Sequence, residues 1–595
     1  MADPRLYRAA LIPVLFALVL LAFSLENRPR PLTSTLSPDA FEGDRAFASA
    51  YGTGSNLAER FPDRRPGSAG DERLADYVAA QLRQARGFHV RTTVHSGQTI
   101  DGERSLRTVI AERPGSIDER IVVVAHRDAA GHGAEAELSG TAVLLELARV
   151  FGAPRGTQRT LTLVSTSGGS GGGASAAALA HDIGGPIAGV LVLGDLASRT
   201  IRAPLLTPWS DGLGATPLRL LATLQEALRQ ETGSKARQPR ALSQFARFAM
   251  PAAYGEQGVL LAHGLPAVGL GIGGDEPPPA GDAISAQRLT TLGRVALRTV
   301  SALDAAPHGK PVSPQASSRD LVFSRKVLPG WAVRLFVGSL LLAPFVVAVD
   351  ALAAMRRGRE PMLAWLRWTL ACALPVLVAA LFAIALGAIG LLAATPDAPI
   401  APQSLPAQVP ALLAVVLVLV LAGVWLRPAV LRVTGAAGQP PPSPAAGVCV
   451  LLVALVATLL TWIGNPYAAA ALAPALHIWG FVLAPELRMR RPLRLALVAL
   501  GIAPVALLVV VVAHSLGLGP LDAAWELLLL VAGGHVSLLG VLLWSLLAGC
   551  AAAALTIAAR AGAPDSGIDP TITVRGPRSY AGPGSLGGTE SALRR

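Results

Sequence analysis

The sequence predicts two unlike parts in one chain: an α/β domain on a mostly parallel mixed sheet with helices on both faces, and an all-α domain of several apolar helices. Three observations lead there. Between residues 30 and 305, short aliphatic, β-branched runs alternate with amphipathic segments of helical period. From 331 to 559, apolar segments of bilayer-spanning length follow one another. The 595-residue chain has a mean hydropathy of +0.49 and only 15% charged residues, too apolar for a wholly soluble protein and too long for one core.

The elements follow in chain order. A short cytoplasmic N-terminus, residues 1–8, carries Arg5 and Arg8 and leads into the apolar run 9–25 (AALIPVLFALVLLAFSL), which no small-x-small cleavage site follows. It reads as an uncleaved signal-anchor helix. In the domain 30–305, IVVVA (121–125), TLTLVS (160–165), GVLVLG (189–194) and PAVGLGI (266–272) are strands of the buried type. ERLADYVAAQL (72–82) and TAVLLELARVF (141–151) are amphipathic helices between strands, so the sheet should be covered on both faces.

A polar linker, 306–330, precedes a membrane domain, 331–559, of about seven helices, near 335–355, 365–392, 410–426, 445–463, 468–485, 495–515 and 536–559. Arg356, Arg357 and Arg359, then Arg427 and Arg432, then Arg488, Arg490, Arg491 and Arg494, and finally Arg560 all fall on the side of the N-terminus if eight spans cross. The stretch 523–559 reads as an interfacial helix followed by one span, because a second crossing would place Arg560 outside. Residues 560–595, rich in Gly, Pro, Ser and Arg, read as a disordered cytoplasmic tail. The domain 30–325 should then be extracytoplasmic.

The net charge of +12 is carried by arginine, the only lysines being Lys235, Lys310 and Lys326. With the Ala, Gly and Pro excess this reads as the codon bias of a GC-rich genome, which suggests a bacterial plasma membrane and no nucleic-acid partner. Cys372, Cys449 and Cys550 all lie in apolar segments, leaving no disulfide framework and no cysteine-type zinc site.

Along the α/β domain a series of short motifs falls in one order. They are RRPGSAGDERLADYVAAQL (64–82), LRTVIAERPGS (106–116), IVVVAHRDAAGHGAEAELSGTAVLLELARVF (121–151), GVLVLGDLAS (189–198) and HGLPAVGLGIGG (263–274). This series resembles metallopeptidase family twenty-eight, the di-zinc aminopeptidases whose relatives include glutamate carboxypeptidase, glutaminyl cyclase and the transferrin receptor ectodomain. The resemblance covers nearly all of 60–305. It implies the zinc-aminopeptidase fold, with His126 as a metal ligand, Asp128 as the group orienting it and Asp195 as a carboxylate ligand.

Other positions depart from that pattern. A co-catalytic zinc pair needs a bridging carboxylate, further O and N donors, and a separate glutamate that takes the proton of the metal-bound water. In GAEAELSG (133–140) the bridging aspartate aligns with Ala136, and the general-base position falls on Gly168 and Gly169 in TSGGSGGG (166–173). No carboxylate occurs from 152 to 181, and the last histidine, expected about four residues before Asp282, is Pro278. The ancestral reaction is therefore expected to be lost and no zinc cofactor retained. Two other readings of these residues stay open. His126 and Asp128 persist as a hydrogen-bonded pair at a strand end, or His132, Glu135 and Glu137 rebuild a one-metal zinc site with His126 and Asp195.

The segment Gly169-x-Gly171-x-x-Ala174, with Asp195 about 20 residues on, mimics a dinucleotide fingerprint. It lies in a Gly/Ser run in mid-domain, where such matches arise by chance. In the apolar half, His477 falls near mid-membrane and His514 and His535 nearer the ends, with no recognisable proton relay, while Asp350, Glu486 and Glu526 sit at expected interfaces.

The layout of one span, an aminopeptidase-like domain and a multi-span region is similar to the endoplasmic reticulum metallopeptidases. It is similar also to the non-catalytic subunit of the glycosylphosphatidylinositol transamidase. The functional expectation is a membrane-anchored pseudopeptidase that binds a peptide or protein partner in the former cleft. The alternatives are an active zinc aminopeptidase with relocated ligands, and a transport or assembly protein with an accessory domain.

Overall fold

The computed structural model describes residues 4–560 except 53–55, 132–133, 155, 201–204, 234–239, 275–280, 308–318, 393–408, 436–442, 485–486 and 488. The expected tail after Arg560, together with His132, Pro278, Lys235, Lys310, Glu486 and Arg488, lies outside the described residues.

The α/β domain is built on a seven-stranded sheet of order β2-β3-β5-β4-β6-β8-β7. Its strands are β2 His89–Thr99, β3 Gly102–Arg113, β4 Ile117–His126, β5 Arg159–Thr166, β6 Ile187–Leu193, β7 Leu206–Thr207 and β8 Ala267–Leu270. The four apolar runs read from the sequence are β4, β5, β6 and β8, and these four pair parallel to one another. The two-residue alternation of β4 shows why the runs are continuously apolar. Ile121, Val123 and Ala125 enter one core cluster, while Val122 and Val124 enter another on the opposite face.

The sheet is not parallel throughout. The β2–β3 hairpin joins β5 antiparallel at one edge and β7 joins β8 antiparallel at the other, so the sheet is mixed. The expected helices run Ala69–Gln84 and Leu138–Phe151. In the first, the Ser68 side chain accepts from the Asp71 amide at 3.2 Å, and Leu74, Val78 and Leu82, four apart, are buried against the sheet.

A second small sheet, β1-β10-β9, pairs Glu26–Asn27 (β1) with Lys326–Leu328 (β10), which pairs with Leu321–Val322 (β9). It clasps the chain just after the first helix to the chain just before Gly330–Arg357, and Lys326 Nζ donates to Asn27 Oδ1 at 2.9 Å.

Among the described residues, seven helices are long and apolar enough to cross a membrane: Arg5–Phe23, Gly330–Arg357, Met362–Ala388, Val409–Val433, Pro444–Gly464, Arg491–Ser515 and Leu538–Arg560. The eighth apolar segment forms the 17-residue helix Pro466–Val482, about 25 Å long at 1.5 Å per residue. The stretch 523–559 separates into the short helix Pro520–Ala532 and the longer Leu538–Arg560. At 13 residues, or about 20 Å, Pro520–Ala532 is too short to span a bilayer core. It packs Trp525, Leu529 and Ala532 against Ala383 and Leu386 of Leu374–Ala388. The approach is close, because a methyl on Gly387 would lie 2.2 Å from the Ala532 carbonyl oxygen.

The two parts share a core. Ala246, Phe248, Ala249 and Tyr254 of the α/β domain belong to the same buried cluster as Tyr467, Leu476 and Leu516 of the apolar helices. Buried Arg319 donates to the carbonyls of Leu213 (2.8 Å), Phe248 (2.9 Å) and Gly212 (3.1 Å), while its own carbonyl accepts from the Tyr467 hydroxyl. Asn465 caps Pro466–Val482 by accepting from the Tyr467 and Ala468 amides, and its Nδ2 donates to the Phe248 and Ala249 carbonyls at 2.9 and 3.0 Å.

Candidate functional site

Ligands of open α/β sheets lie beyond the carboxyl ends of the strands, and here the adjacent parallel strands β4 and β6 end at His126 and just before Asp195. A cavity of about 90 Å³ opens there. His126, Glu137, Asp195, Gly169, Ser170 and Glu256 are among its lining residues, so it brings together two residues implied by the family resemblance and one of the speculative glutamates.

Each is held by the local fold. Asp195 Oδ1 accepts from the Ala197 and Ser198 amides at 3.0 and 2.9 Å, which fixes the carboxylate at the strand end. The His126 carbonyl accepts from Thr141 Oγ1 at 3.2 Å. Glu137 is buried at the end of the short turn Glu135–Glu137, where Ala136 is buried as well and Glu135 is half-buried. The Asp128 carboxylate accepts from the Gly169 amide (3.1 Å), the Ser170 amide (3.0 Å) and Ser170 Oγ (2.5 Å). These bonds hold the loop after β5. They also consume the two amides that a phosphate would need, which removes the support for a nucleotide fingerprint.

Two buried charges lie beneath the cavity. Arg64 is 1% exposed and donates to the Phe61 and Ala134 carbonyls at 3.1 and 2.8 Å. Arg127 pairs with Asp71 at 2.8 Å, both fully buried, and Asp71 also accepts from Ser167 Oγ at 2.6 Å. Burial holds the His126 pKa below the usual histidine value against the opposing pull of Asp128 and Asp195, so the ring is neutral at pH 7. Burial raises the Tyr51 hydroxyl, and Asp195 adds to the rise. The Tyr51 hydroxyl donates to the Glu135 carbonyl at 2.9 Å.

Glu256 is the residue that sequence reasoning missed. It opens the helix Glu256–Ala262 and is 2% exposed, and a methyl on Gly169 would stand 3.1 Å from its Cδ and 2.4 Å from His126 Cβ. Its carboxyl therefore lies beside the general-base position that the sequence leaves to Gly168 and Gly169. Among the described residues neither carboxyl oxygen has a hydrogen-bond partner of ordinary geometry. Burial lifts its pKa to about 8, with the Thr166 hydroxyl near enough to oppose the rise. One signal was legible: Glu256 is the only carboxylate between Glu231 and Asp275.

A zinc centre needs three or more donors converging at about 2.0–2.3 Å. Among the described residues no three His, Cys, Asp or Glu side chains are so arranged. Asp282 is not among the cavity's lining residues, and it accepts instead from Thr200 Oγ1 at 3.2 Å. The described residues around the cavity include His126, Asp195 and Glu137 without a converging set of three. What they form is a small polar pocket with a neutral imidazole and a buried acid in its wall.

Comparison with known proteins falls in the same region. Residues 108–213 match Peptidase family M28. The match falls within the α/β domain, whose mixed sheet with helices is like the fold of that family, and a helical region with several apolar helices follows. Solved structures similar to it include a zinc aminopeptidase from Bacillus subtilis, at 11% identity and a TM-score of 0.37, covering 46% of this chain and 98% of that one. The glutaminyl cyclase of Porphyromonas gingivalis is similar at 17% identity and a TM-score of 0.32, covering 44% and 98%. A zinc-dependent exopeptidase of Parabacteroides distasonis is similar at 16% identity and a TM-score of 0.31, covering 45% and 99%. No curated protein matches the chain.

Proposed function

We propose that the chain is a membrane-anchored pseudopeptidase, in which the M28-type domain binds a peptide or protein partner in the former catalytic cleft and hydrolyses nothing. One observation carries this reading. The strand end that should supply a carboxylate base supplies Gly169, whose amide, like that of Ser170, is committed to Asp128. The loop after β5 is therefore a structural closure. The Glu256 carboxyl, which burial lifts to about 8, is largely protonated near pH 7 and so does not take up the proton of a water in the cavity. The bilayer is the second partner, with the domain extracytoplasmic, both termini cytoplasmic and a bacterial plasma membrane as the setting.

One feature favours a second reading, an active one-zinc aminopeptidase. Glu137 lines the same cavity as His126 and Asp195, and His132 stands five residues before it in sequence.

The full chain, purified in detergent, separates the two. The pseudopeptidase lacks stoichiometric zinc, keeps its melting temperature in chelator, since a ligand that does not bind the folded state cannot stabilise it, and leaves aminoacyl reporter substrates intact. About one tightly held zinc per chain, lost on His126→Ala together with turnover, overturns it. Reporter fusions at 300 and 595 test orientation, and an external C-terminus refutes the eight-span arrangement.

A further inference from the structure

The first turn of the helix Glu256–Ala262 stands between the cleft and the apolar helices. On the cleft side, the Glu256 carboxyl and Gln257 line the cavity. On the other side, two residues bordering the turn are tied to the segment around Pro520–Ala532. The buried Tyr254 hydroxyl donates to buried Glu526, in the middle of that helix. The Asp211 amide donates to the Gly258 carbonyl at 3.3 Å, and the Asp211 carboxylate meets His535 Nδ1, also at 3.3 Å. The turn is thus held at both ends by contacts to residues 526 and 535, with cavity-lining side chains between them.

The turn is itself tightly folded: a methyl on Gly258 would meet Ala253 Cβ at 2.5 Å, and one on Gly255 would meet the Gln257 side chain at 2.2 Å, both contacts lying within the turn. Pro520–Ala532 in turn lies against Leu374–Ala388, where the Gly387–Ala532 approach leaves no room for a side chain.

We infer that the cleft and the helix Pro520–Ala532 form one mechanical unit, in which filling the cavity beside Glu256 shifts the 254–258 turn and, through Tyr254–Glu526, the packing of that helix on Leu374–Ala388. Occupancy of the peptidase-type cleft is then read out among the apolar helices, whatever ligand the cleft takes. Packed interfaces of this kind pass small displacements on in steps, because a dense core does not deform continuously.

The test needs no ligand. Gly169→Ala places a methyl 2.4 Å from His126 Cβ and 3.1 Å from Glu256 Cδ, and so crowds both of these walls of the cavity at once. Hydrogen exchange on the full chain in detergent should then show severalfold faster exchange in 520–532 as well as in 166–175 and 254–258. In a Tyr254→Phe background the change in 520–532 should disappear while the cleft changes remain. If Gly169→Ala does not fold, Glu256→Ala perturbs the same contact by leaving a void, with the same readout. Unaltered exchange in 520–532 alongside altered exchange in 254–258 overturns the inference. So does a response in 520–532 that persists in Tyr254→Phe. Neither result bears on the pseudopeptidase reading, which rests on zinc and turnover.

Discussion

The Tyr7 hydroxyl and Nδ1 of His477 meet at 2.6 Å, their rings edge to face with centroids 5.9 Å apart, so a hydrogen bond fastens the first helix to a helix 470 residues later. His477, expected from the sequence near mid-membrane, is thus paired with a residue between Arg5 and Arg8 at the start of the first apolar helix, and has a structural use. Tyr7→Phe removes one partner of a part-buried pair and should destabilise the chain by about 1 kcal/mol. Thermal unfolding in detergent measures this. A double-mutant cycle with His477→Phe should give a coupling energy of at least about 0.5 kcal/mol, and strict additivity would refute the bond.

At the junction of the two parts, the Arg319 side chain binds three carbonyls of the α/β domain while its own carbonyl accepts from Tyr467. Arg319→Met keeps much of the volume and strips donors from three carbonyls, at a cost of about 1–3 kcal/mol for each one left buried and unpaired. The α/β domain and the apolar helices should then melt in two separable steps. A single cooperative transition as sharp as in the parent chain would show that the shared apolar cluster alone holds them together.

Asp128 carries the loop after β5. Asp128→Ala releases the Gly169 and Ser170 amides and the Ser170 hydroxyl together, and protease cleavage within 166–175 should rise at least tenfold, the equivalent of about 1.4 kcal/mol. Ser170→Ala, which removes only the hydroxyl bond, should have a smaller effect.

Glu256 predicts a pH dependence. Its folded pKa of about 8 lies above the ordinary 4.5, so between those values the folded state binds more protons than the unfolded state. Its contribution is therefore fully present below about pH 4.5 and is lost as pH rises toward 8. Glu256→Gln, uncharged at every pH, should match the parent near pH 4.5 and exceed it by a few kcal/mol near pH 8, since each tenfold difference in proton affinity between the folded and unfolded states is worth about 1.4 kcal/mol. Parallel stability curves for the two proteins would contradict a carboxyl whose proton affinity burial raises.

The parallel centre of the sheet was legible because β4, β5, β6 and β8 are buried on both faces, which writes itself into sequence as unbroken aliphatic runs. The β2 strand at the edge is made almost wholly of exposed and half-buried residues, and β7 is two residues long, so neither leaves such a run: the sequence predicts a mixed sheet but not which strands run antiparallel. In the cavity, His126 and Asp195 sit at the ends of legible strands. Glu256 reaches the same place from a helix 61 residues beyond Asp195 in sequence, and only the pairing of β6 with β8 brings it there. The Tyr254–Glu526 contact joins residues 272 apart, a separation over which no local pattern carries information.

The clasp between β1 and β10 gathers the entry and the exit of the α/β domain at one point. Asn27 and Lys326 are partners in antiparallel register, so their Cα atoms stand about 5 Å apart although nearly 300 residues separate them in sequence. A tight turn spans that gap. A chain shortened from Asn27 directly to Lys326 through two or three turn residues would still connect Arg5–Phe23 to Gly330–Arg357 without stretching. By this geometry the chain leaves and re-enters the helical part at a single point, so excising the α/β domain would keep the connection between the helices while uncovering the cluster around Tyr467 and Leu476 that the two parts share.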